Sequence, residues 1–212
     1  MKDKKSKLAE LWEDYAMLGG LSAESDLCEP FLTSIKKRLP WLFLLLLIGL
    51  LVSGAVGAFE EVTAELPLIV SFQSLILGMS GNIGTQSLAV SIRALTGERL
   101  TKKQKTHLVL KEARLGATSG LLIGGMSFGL VGGYLYIMKG TAPSLAFSVS
   151  FCTGAALLVS MTLSSLSGTL IPILFHKIKT DPAVASGPFI TTVNDLVAVV
   201  TYYGIAWGLL CS

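Results

Sequence analysis

Charged residues are scarce in this 212-residue chain. Asp, Glu, Lys and Arg make up only 15% of it, hydrophobic residues make up 51%, and the mean hydropathy is +0.66. Soluble globular domains carry about 25% charged residues, so this composition excludes an ordinary soluble domain. Short segments of alternating polarity are also missing, which argues against a transmembrane β-barrel. The composition therefore indicates a helical integral membrane protein.

Histidine and cysteine are scarce as well. Cys28, Cys152 and Cys211 lack the spacing of metal ligands or of a disulfide framework, so packing roles are expected. His107 and His176 fall in predicted loops and share no ligand spacing. No His-Glu-x-x-His motif and no Gly-Lys-Ser/Thr phosphate loop occurs. These absences disfavour an intramembrane enzyme and an ATP-driven pump, and the chain is expected not to be an enzyme.

Long apolar runs are what the chain does contain. A helix needs roughly 20 apolar residues to cross about 30 Å of hydrocarbon, and runs longer than that are expected to tilt or to project into water. The sequence predicts an all-α integral membrane protein with five transmembrane helices, with Pro40 at the first position of span 1. The expected division is a short cytosolic N-terminal segment, 1–30, and a five-helix domain, 31–212. The five predicted spans are about 40–59, 67–95, 113–138, 143–175 and 183–210.

The placement of charges predicts the orientation. Basic residues precede span 1 and lie between spans 2 and 3 and between spans 4 and 5, whereas the first outer connection carries Glu60, Glu61 and Glu65 without a base. Under the positive-inside rule, the N-terminus is cytoplasmic and the C-terminus extracytoplasmic in a multi-pass protein of the plasma or inner cell membrane. Topology and contact with anionic lipid explain the bases, and no nucleic-acid partner is expected.

Asp195 is a carboxylate in the middle of the last apolar run. An ionisable group at that depth costs several kcal/mol and usually faces water or a partner. One interpretation is that it meets a cation in an aqueous path. The alternative is a structural acid paired with Arg93, Arg114 or a cluster of hydroxyl groups, and the sequence leaves both open.

Polar atoms accompany Asp195 on its helix. At about 100° per residue, Gly187, Thr191 and Asn194 fall along the same face as Asp195. The stripe would offer carbonyl, hydroxyl, amide and carboxylate oxygens. Such oxygens suit a hard cation, or the water around one.

The centre of span 2 is rich in glycine. Gly78, Gly81 and Gly84 recur at every third position, although each glycine costs a helix about 1 kcal/mol relative to alanine. Loosened backbone persists within a bilayer only where protein or a water-lined cavity satisfies it. The segment therefore predicts a pore wall. For Asn82 and Gln86, cross-linking of neighbouring helices is an open alternative to lining a pore.

Two patterns in span 3 concern packing. Gly116, Gly120 and Gly124 lie four residues apart and predict close approach of another helix, either within the protomer or between subunits. Near the inner interface, Glu112 with Lys111 and Arg114 is interpreted as an ion-pair patch.

A series of motifs then points to a known family. They are Pro40-Trp41-Leu42, Ala58-Phe59-Glu60, Gly81-Asn82-Ile83-Gly84-Thr85-Gln86-Ser87 with Arg93, Lys111-Glu112, Asp181-Pro182-Ala183, and Ser186-Gly187-Pro188 followed by Thr192-Val193-Asn194-Asp195. In order and spacing, these motifs resemble the membrane domain of MgtE-type magnesium transporters. The resemblance covers about residues 31–210.

This resemblance implies an architecture and a set of site residues. It implies a homodimer with five spans per subunit and an ion path on the twofold axis, lined by spans 2 and 5. Asp195 would be the principal cation-recognising carboxylate, with the Thr191 carbonyl and Gly187 beside it and Asn194 in the same metal-binding set. Further expected positions are Gly78, Gly81, Asn82, Thr85, Gln86 and Thr192 along the pore and Glu60 at the outer mouth.

The implied function is transport of a divalent cation. Two Asp195 carboxylates at the axis would offset the charge of hydrated Mg²⁺, with Mn²⁺, Co²⁺ and Zn²⁺ as further candidate ions. Inward movement through 100 mV would release about 4.6 kcal/mol. Alternatives are a proton- or sodium-coupled carrier or exporter with Asp195 as the coupling site, and a structural scaffold. Residues 1–30 are too few for the cytosolic helical and CBS domains of well-known family members, so different regulation is expected.

Overall fold

The computed structural model describes residues 30–65, 67–97, 100–178 and 187–210. Five helices in these residues are long and apolar enough to cross a membrane, and the predicted all-α fold with five spans is confirmed. The predictions for residues 1–29, including Cys28, for the Asp181-Pro182-Ala183 motif and for Cys211 lie outside the described residues. The helices are α1 (Phe31–Gly57), α2 (Glu60–Glu65), α3 (Pro67–Gly97), α4 (Lys102–Gly133, continued by a π-helical turn, Tyr134–Met138), α5 (Pro143–Lys177) and α6 (Gly187–Leu210).

Helix α1 starts earlier than predicted. It begins at Phe31 and runs through Pro40 without a break, so the prediction that Pro40 occupies the first helical position is wrong. A proline inside a helix removes one amide donor and crowds the preceding turn. Most of these first turns are solvent-exposed, which leaves room for that local adjustment.

Helix α4 also extends beyond its apolar part, as expected for a long span. Its start is set by a capping box, in which the Gln104 amide donates to the Thr101 hydroxyl and the Gln104 side chain accepts from the Thr101 amide at 2.8 Å. The helix therefore begins at Lys102, before the apolar run. His107 lies within α4 and His176 in the last turn of α5, so their placement in loops was wrong.

A tight turn joins α4 to α5. The Lys139 amide donates to the Tyr134 carbonyl at 3.3 Å, which closes the π-helical turn. Gly140 follows with φ of 62°, a left-handed conformation that glycine adopts without a Cβ clash. Pro143 then opens α5, where its missing amide costs no helical hydrogen bond.

The core lies where α5 packs against α3, α4 and α6. Fully buried side chains include Ile76 of α3, Leu157 of α5 and Tyr202 of α6. Cys152 is buried in the same cluster, which agrees with its predicted packing role. Helix α1 has no buried residue and packs against α6 at the edge of the bundle.

The glycine row of α4 brings α4 and α5 together. A Cβ on Gly124 would lie 2.6 Å from the Gly154 carbonyl oxygen, and one on Gly120 would lie 2.9 Å from the Leu158 Cα. Gly116 faces Ser165 in the same way. The predicted close packing is confirmed, and for these three glycines it is intramolecular.

Candidate functional site at the seam of α3 and α6

Glycines of α3 allow α6 to approach closely. A Cβ on Gly81 would lie 3.4 Å from the Thr191 methyl group, and a Cβ on Gly84 would overlap the Asn194 side-chain nitrogen. Helix α3 is nevertheless unbroken through this stretch. The expectation of loosened backbone at these glycines was therefore wrong. Gly84 serves helix packing, because a Cβ there would displace the Asn194 side chain, whereas a Cβ on Gly81 would make an ordinary contact with Thr191.

Asp195 lies half-buried one turn after Thr191. The two helices run antiparallel, because Tyr202 donates to the Ile69 carbonyl at 2.8 Å while Thr191 packs against Gly81. Gly78 is exposed, with open space where its Cβ would stand.

No basic side chain neutralises Asp195 in the described part of the chain. Neither Arg93 nor Arg114 forms an ion pair with its carboxylate there. Within the same residues, no three His, Cys, Asp or Glu side chains cluster as a metal site would require.

Asn194 and Asp195 are neighbours in the sequence but have different surroundings. The Asn194 side chain is fully buried against Gly84, and among the described residues neither its amide nitrogen nor its oxygen has a hydrogen-bond partner. It therefore points into the protomer, where the Ser164 carbonyl is also close to Gly84. Asp195 and Thr191 are only half-buried, so the predicted stripe is split between the interior and the surface.

The threonines of the predicted pore bond to their own helices. The Thr192 hydroxyl donates to the Pro188 carbonyl at 2.9 Å, and the Thr85 hydroxyl donates to the Asn82 carbonyl at 2.9 Å. Gly187 is the first residue of α6 and is half-buried. The hydroxyl protons of Thr192 and Thr85 are thus already engaged within their own helices.

A polar stripe lies along the exposed face of α3. Its members are exposed and recur at three- or four-residue intervals, which places them on one helix face. Asn82 and Gln86 form no side-chain hydrogen bond to another helix in the described residues, so they do not cross-link this protomer. The stripe consists of Ser71, Ser74, Gly78, Asn82 and Gln86.

Comparisons with known proteins identify the family of this chain. The family model MgtE, described as "Divalent cation transporter", matches residues 73–205, which include most of α3 and of α6. The chain belongs to the MgtE family. The predicted resemblance to this family is thereby confirmed. Because the members of the family are transporters, the expectation that the chain is not an enzyme is also confirmed.

Individual MgtE relatives match nearly the whole chain. The "Magnesium transporter MgtE" of Bacillus subtilis is 35% identical over 205 residues, covering 97% of this chain and 44% of the relative. That of Enterococcus faecalis is 37% identical, covering 93% and 41%. That of Thermus thermophilus is 30% identical, covering 82% and 36%. The chain therefore spans less than half the length of these curated relatives.

Within the MgtE-matched region, the structure adds a buried polar cluster that sequence reasoning missed. Glu112 is only 4% exposed. Ser87 donates to one of its carboxylate oxygens at 3.0 Å, and Ser165 donates to its main-chain carbonyl at 2.7 Å. Lys111 lies 3.9 Å from the other carboxylate oxygen. The predicted ion pair between Glu112 and Lys111 is thus present. Glu112 nevertheless lies inside the bundle, where its hydrogen bonds connect α3, α4 and α5.

Glu60 lies outside the MgtE-matched region and away from Asp195. It is exposed at the start of α2, directly after Phe59, whose ring stacks on Tyr203 at 5.7 Å. Tyr203 is eight residues beyond Asp195, or about 12 Å along the helix axis. Glu60 is thus near the end of the bundle where α6 ends, well beyond Asp195.

Proposed function

We propose that this chain forms a homodimer that conducts hydrated magnesium ions along the seam of α3 and α6, with Asp195 as the ion-recognising carboxylate. The proposal depends on two observations on a pair of packed helices: the exposed polar stripe of α3, and a half-buried Asp195 carboxylate on α6 that no basic side chain of the described residues neutralises. Membership of the MgtE family and the names of the relatives support magnesium as the ion.

The stripe supports a pore because polar groups do not remain in contact with lipid tails. Asn82 and Gln86 are exposed on a membrane-spanning helix, and unsatisfied polar groups in hydrocarbon cost several kcal/mol each. A second copy of the chain across a twofold axis would cover the stripe. Water and ions between the two copies would satisfy its amides.

The chemistry of the seam suits a hydrated ion. Magnesium loses its water shell reluctantly and usually binds through one or two carboxylates and several waters. Two Asp195 side chains at a twofold axis would supply two negative charges, and main-chain oxygens at Gly187 and Thr191 would accept hydrogen bonds from the ion's waters. Asn194, buried behind Asp195, would position α6 against α3.

Transport is expected to run inward, down the membrane potential. A divalent ion moving through 100 mV gains about 4.6 kcal/mol, twice the value for a single charge. The potential alone therefore suffices as a driving force. Mn²⁺, Co²⁺ and Zn²⁺ are included in the proposal as further candidate ions.

Flux measurements on purified protein test the proposal. Proteoliposomes carrying an internal magnesium indicator should take up Mg²⁺ under an inside-negative potential, and Asp195→Ala should lower the initial rate at least about tenfold while the protein stays folded and dimeric. Glu61→Ala is the matched control, because it removes an exposed glutamate outside the spans and should retain uptake. Flux that is equal in wild type and Asp195→Ala would refute the proposal. Flux that follows an imposed proton or sodium gradient would favour the coupled carrier.

Cysteine cross-linking tests the dimer separately. In a background with Cys28 and Cys211 replaced by serine, Asn82→Cys should form a disulfide-linked dimer in membranes. Leu163→Cys, on an exposed apolar part of α5, is the control and should not. Efficient cross-linking through position 163 alone would place the subunit interface elsewhere.

A further inference from the structure

We propose that a basic cleft at the N-terminal end of α4 binds the phosphate of an anionic phospholipid. The cleft has a volume of about 460 Å³ and lies between the end of α3 and the first turns of α4. Its polar side is formed by Lys103, His107 and Lys111, and Ala94, Leu100 and Leu108 form its apolar side. This inference is independent of the proposed ion path.

The three basic residues share one face of α4. They are four positions apart, so successive side chains are about 6 Å apart along the helix axis. All three are exposed. Lys111 also lies 3.9 Å from Glu112, but that carboxylate is buried and accepts from Ser87. Two lysines and a histidine thus remain oriented towards one opening.

The depth of the cleft corresponds to the lipid headgroups. Helix α4 and its π-helical turn contain 37 residues, or about 55 Å, whereas the hydrocarbon layer is about 30 Å thick. The charged residues are concentrated before Leu115, so most of the excess length projects at the N-terminal end. Lys111 is therefore near the hydrocarbon boundary, with His107 and Lys103 farther out among the headgroups.

The shape and chemistry together favour a lipid over a free ion. Basic pockets at the ends of transmembrane helices attract anionic headgroups, with each Lys or Arg contributing about 1 kcal/mol. The capping box of Thr101 and Gln104 fixes the first turn of α4 beside the cleft, where the positive end of the helix dipole adds attraction for an anion. The apolar wall of Ala94, Leu100 and Leu108 would accept the start of an acyl chain, which inorganic phosphate lacks.

Lipid titration of the purified 212-residue chain tests this site. Native mass spectrometry should detect bound dioctanoyl-phosphatidylglycerol, and Lys103→Gln/Lys111→Gln should weaken its binding at least about tenfold. The matched control is Lys102→Gln/Lys105→Gln, which removes the same charge from the first turn of α4 but from residues outside the cleft lining, and it should leave binding within about twofold. Ala94→Trp, which fills the cleft without changing charge, should also weaken binding, and it decides the question if the lysine variant fails to fold.

Several outcomes would overturn the proposal. Equal losses in the two double-lysine variants would mean that the lipid responds only to overall surface charge. Binding of dioctanoyl-phosphatidylcholine as tight as that of phosphatidylglycerol would remove the role of the anionic charge. Competition by millimolar inorganic phosphate that displaces the lipid fully would identify free phosphate as the ligand instead.

Discussion

Gly84 and Asn194 pack so closely that a β-carbon on Gly84 would overlap the side-chain nitrogen of Asn194. The same stretch of α3 also contacts α5, because the Gly84 carbonyl lies where a β-carbon on Gly168 would be. Three helices therefore meet around one glycine. This junction holds α6, and with it Asp195, at a set distance from α3.

The junction predicts that Gly84→Ala destabilises the protein. Overpacking a tight contact costs typically 1–3 kcal/mol, and the neighbouring atoms belong to Asn194 and to the Ser164 main chain. The thermal unfolding midpoint in detergent should therefore fall. Gly78→Ala on the same helix is the control, because nothing lies within 4 Å of its Cβ position. Equal midpoints for the two variants would contradict the observed packing.

A neighbouring pair of glycines in α4 gives a second test. Gly124→Ala would place its Cβ 2.6 Å from the Gly154 carbonyl oxygen, whereas the Cβ of Gly125→Ala would meet nothing within 4 Å. Gly124→Ala is expected to lose about 1–3 kcal/mol of stability, and Gly125→Ala should match or exceed wild type because alanine favours helix. Thermal unfolding of both variants checks this. The reverse order would show that the α4–α5 contact is not as close as described.

Replacement of Glu112 should weaken the bundle from inside. Glu112→Ala removes the carboxylate that accepts from the buried Ser87 hydroxyl, which keeps only its contact with the Ser165 hydroxyl, and a hydrogen bond to a charged group contributes about 1.5–3 kcal/mol. The measurement is again the unfolding midpoint. Glu61→Ala serves as the control, since Glu61 is exposed and should tolerate the change within about 0.5 kcal/mol. No loss in Glu112→Ala would mean that the cluster does not stabilise the fold.

Magnesium should raise the unfolding midpoint of the wild-type protein. A ligand that binds only the folded state at 100 times its Kd adds about 2.7 kcal/mol, and Asp195→Asn should abolish this gain because the proposed site loses its charge. Calcium at equal concentration is the control ion and should stabilise little. Stabilisation by magnesium that persists in Asp195→Asn would assign the ion to another site.

Much of the fold could be predicted because the length of an apolar run depends only on neighbouring residues in the sequence. The predicted spans overlap the observed helices, and their differences are at the ends. Helix α4 starts at Lys102 and α1 at Phe31, because a helix can continue past the apolar region once a cap is available or the turn is exposed. Hydropathy indicates which part of a helix lies in the lipid, but it does not indicate where the backbone hydrogen bonds of the helix end.

The candidate site was predicted only in part. Residue types identified Asp195 as unusual, since a charge in an apolar run is expensive wherever the helix lies. The burial of Asn194 was not predictable, because it depends on which neighbour faces each side of α6. The bond between Ser87 and Glu112 joins residues 25 positions apart, and periodicity along one helix carries no information about such pairs.

The sequence by itself determined the class of the protein, the number of spans and the one carboxylate that lies deep in the last of them, because each depends on composition over about 20 neighbouring residues. Only the tertiary structure decided that Gly84 acts as a packing surface within a continuous helix and that Asn194 turns inward. It also placed Asn82 and Gln86 on the exposed side of α3. The reason is physical: the surroundings of a side chain are set by the helices packed around it, and those helices come from distant parts of the chain.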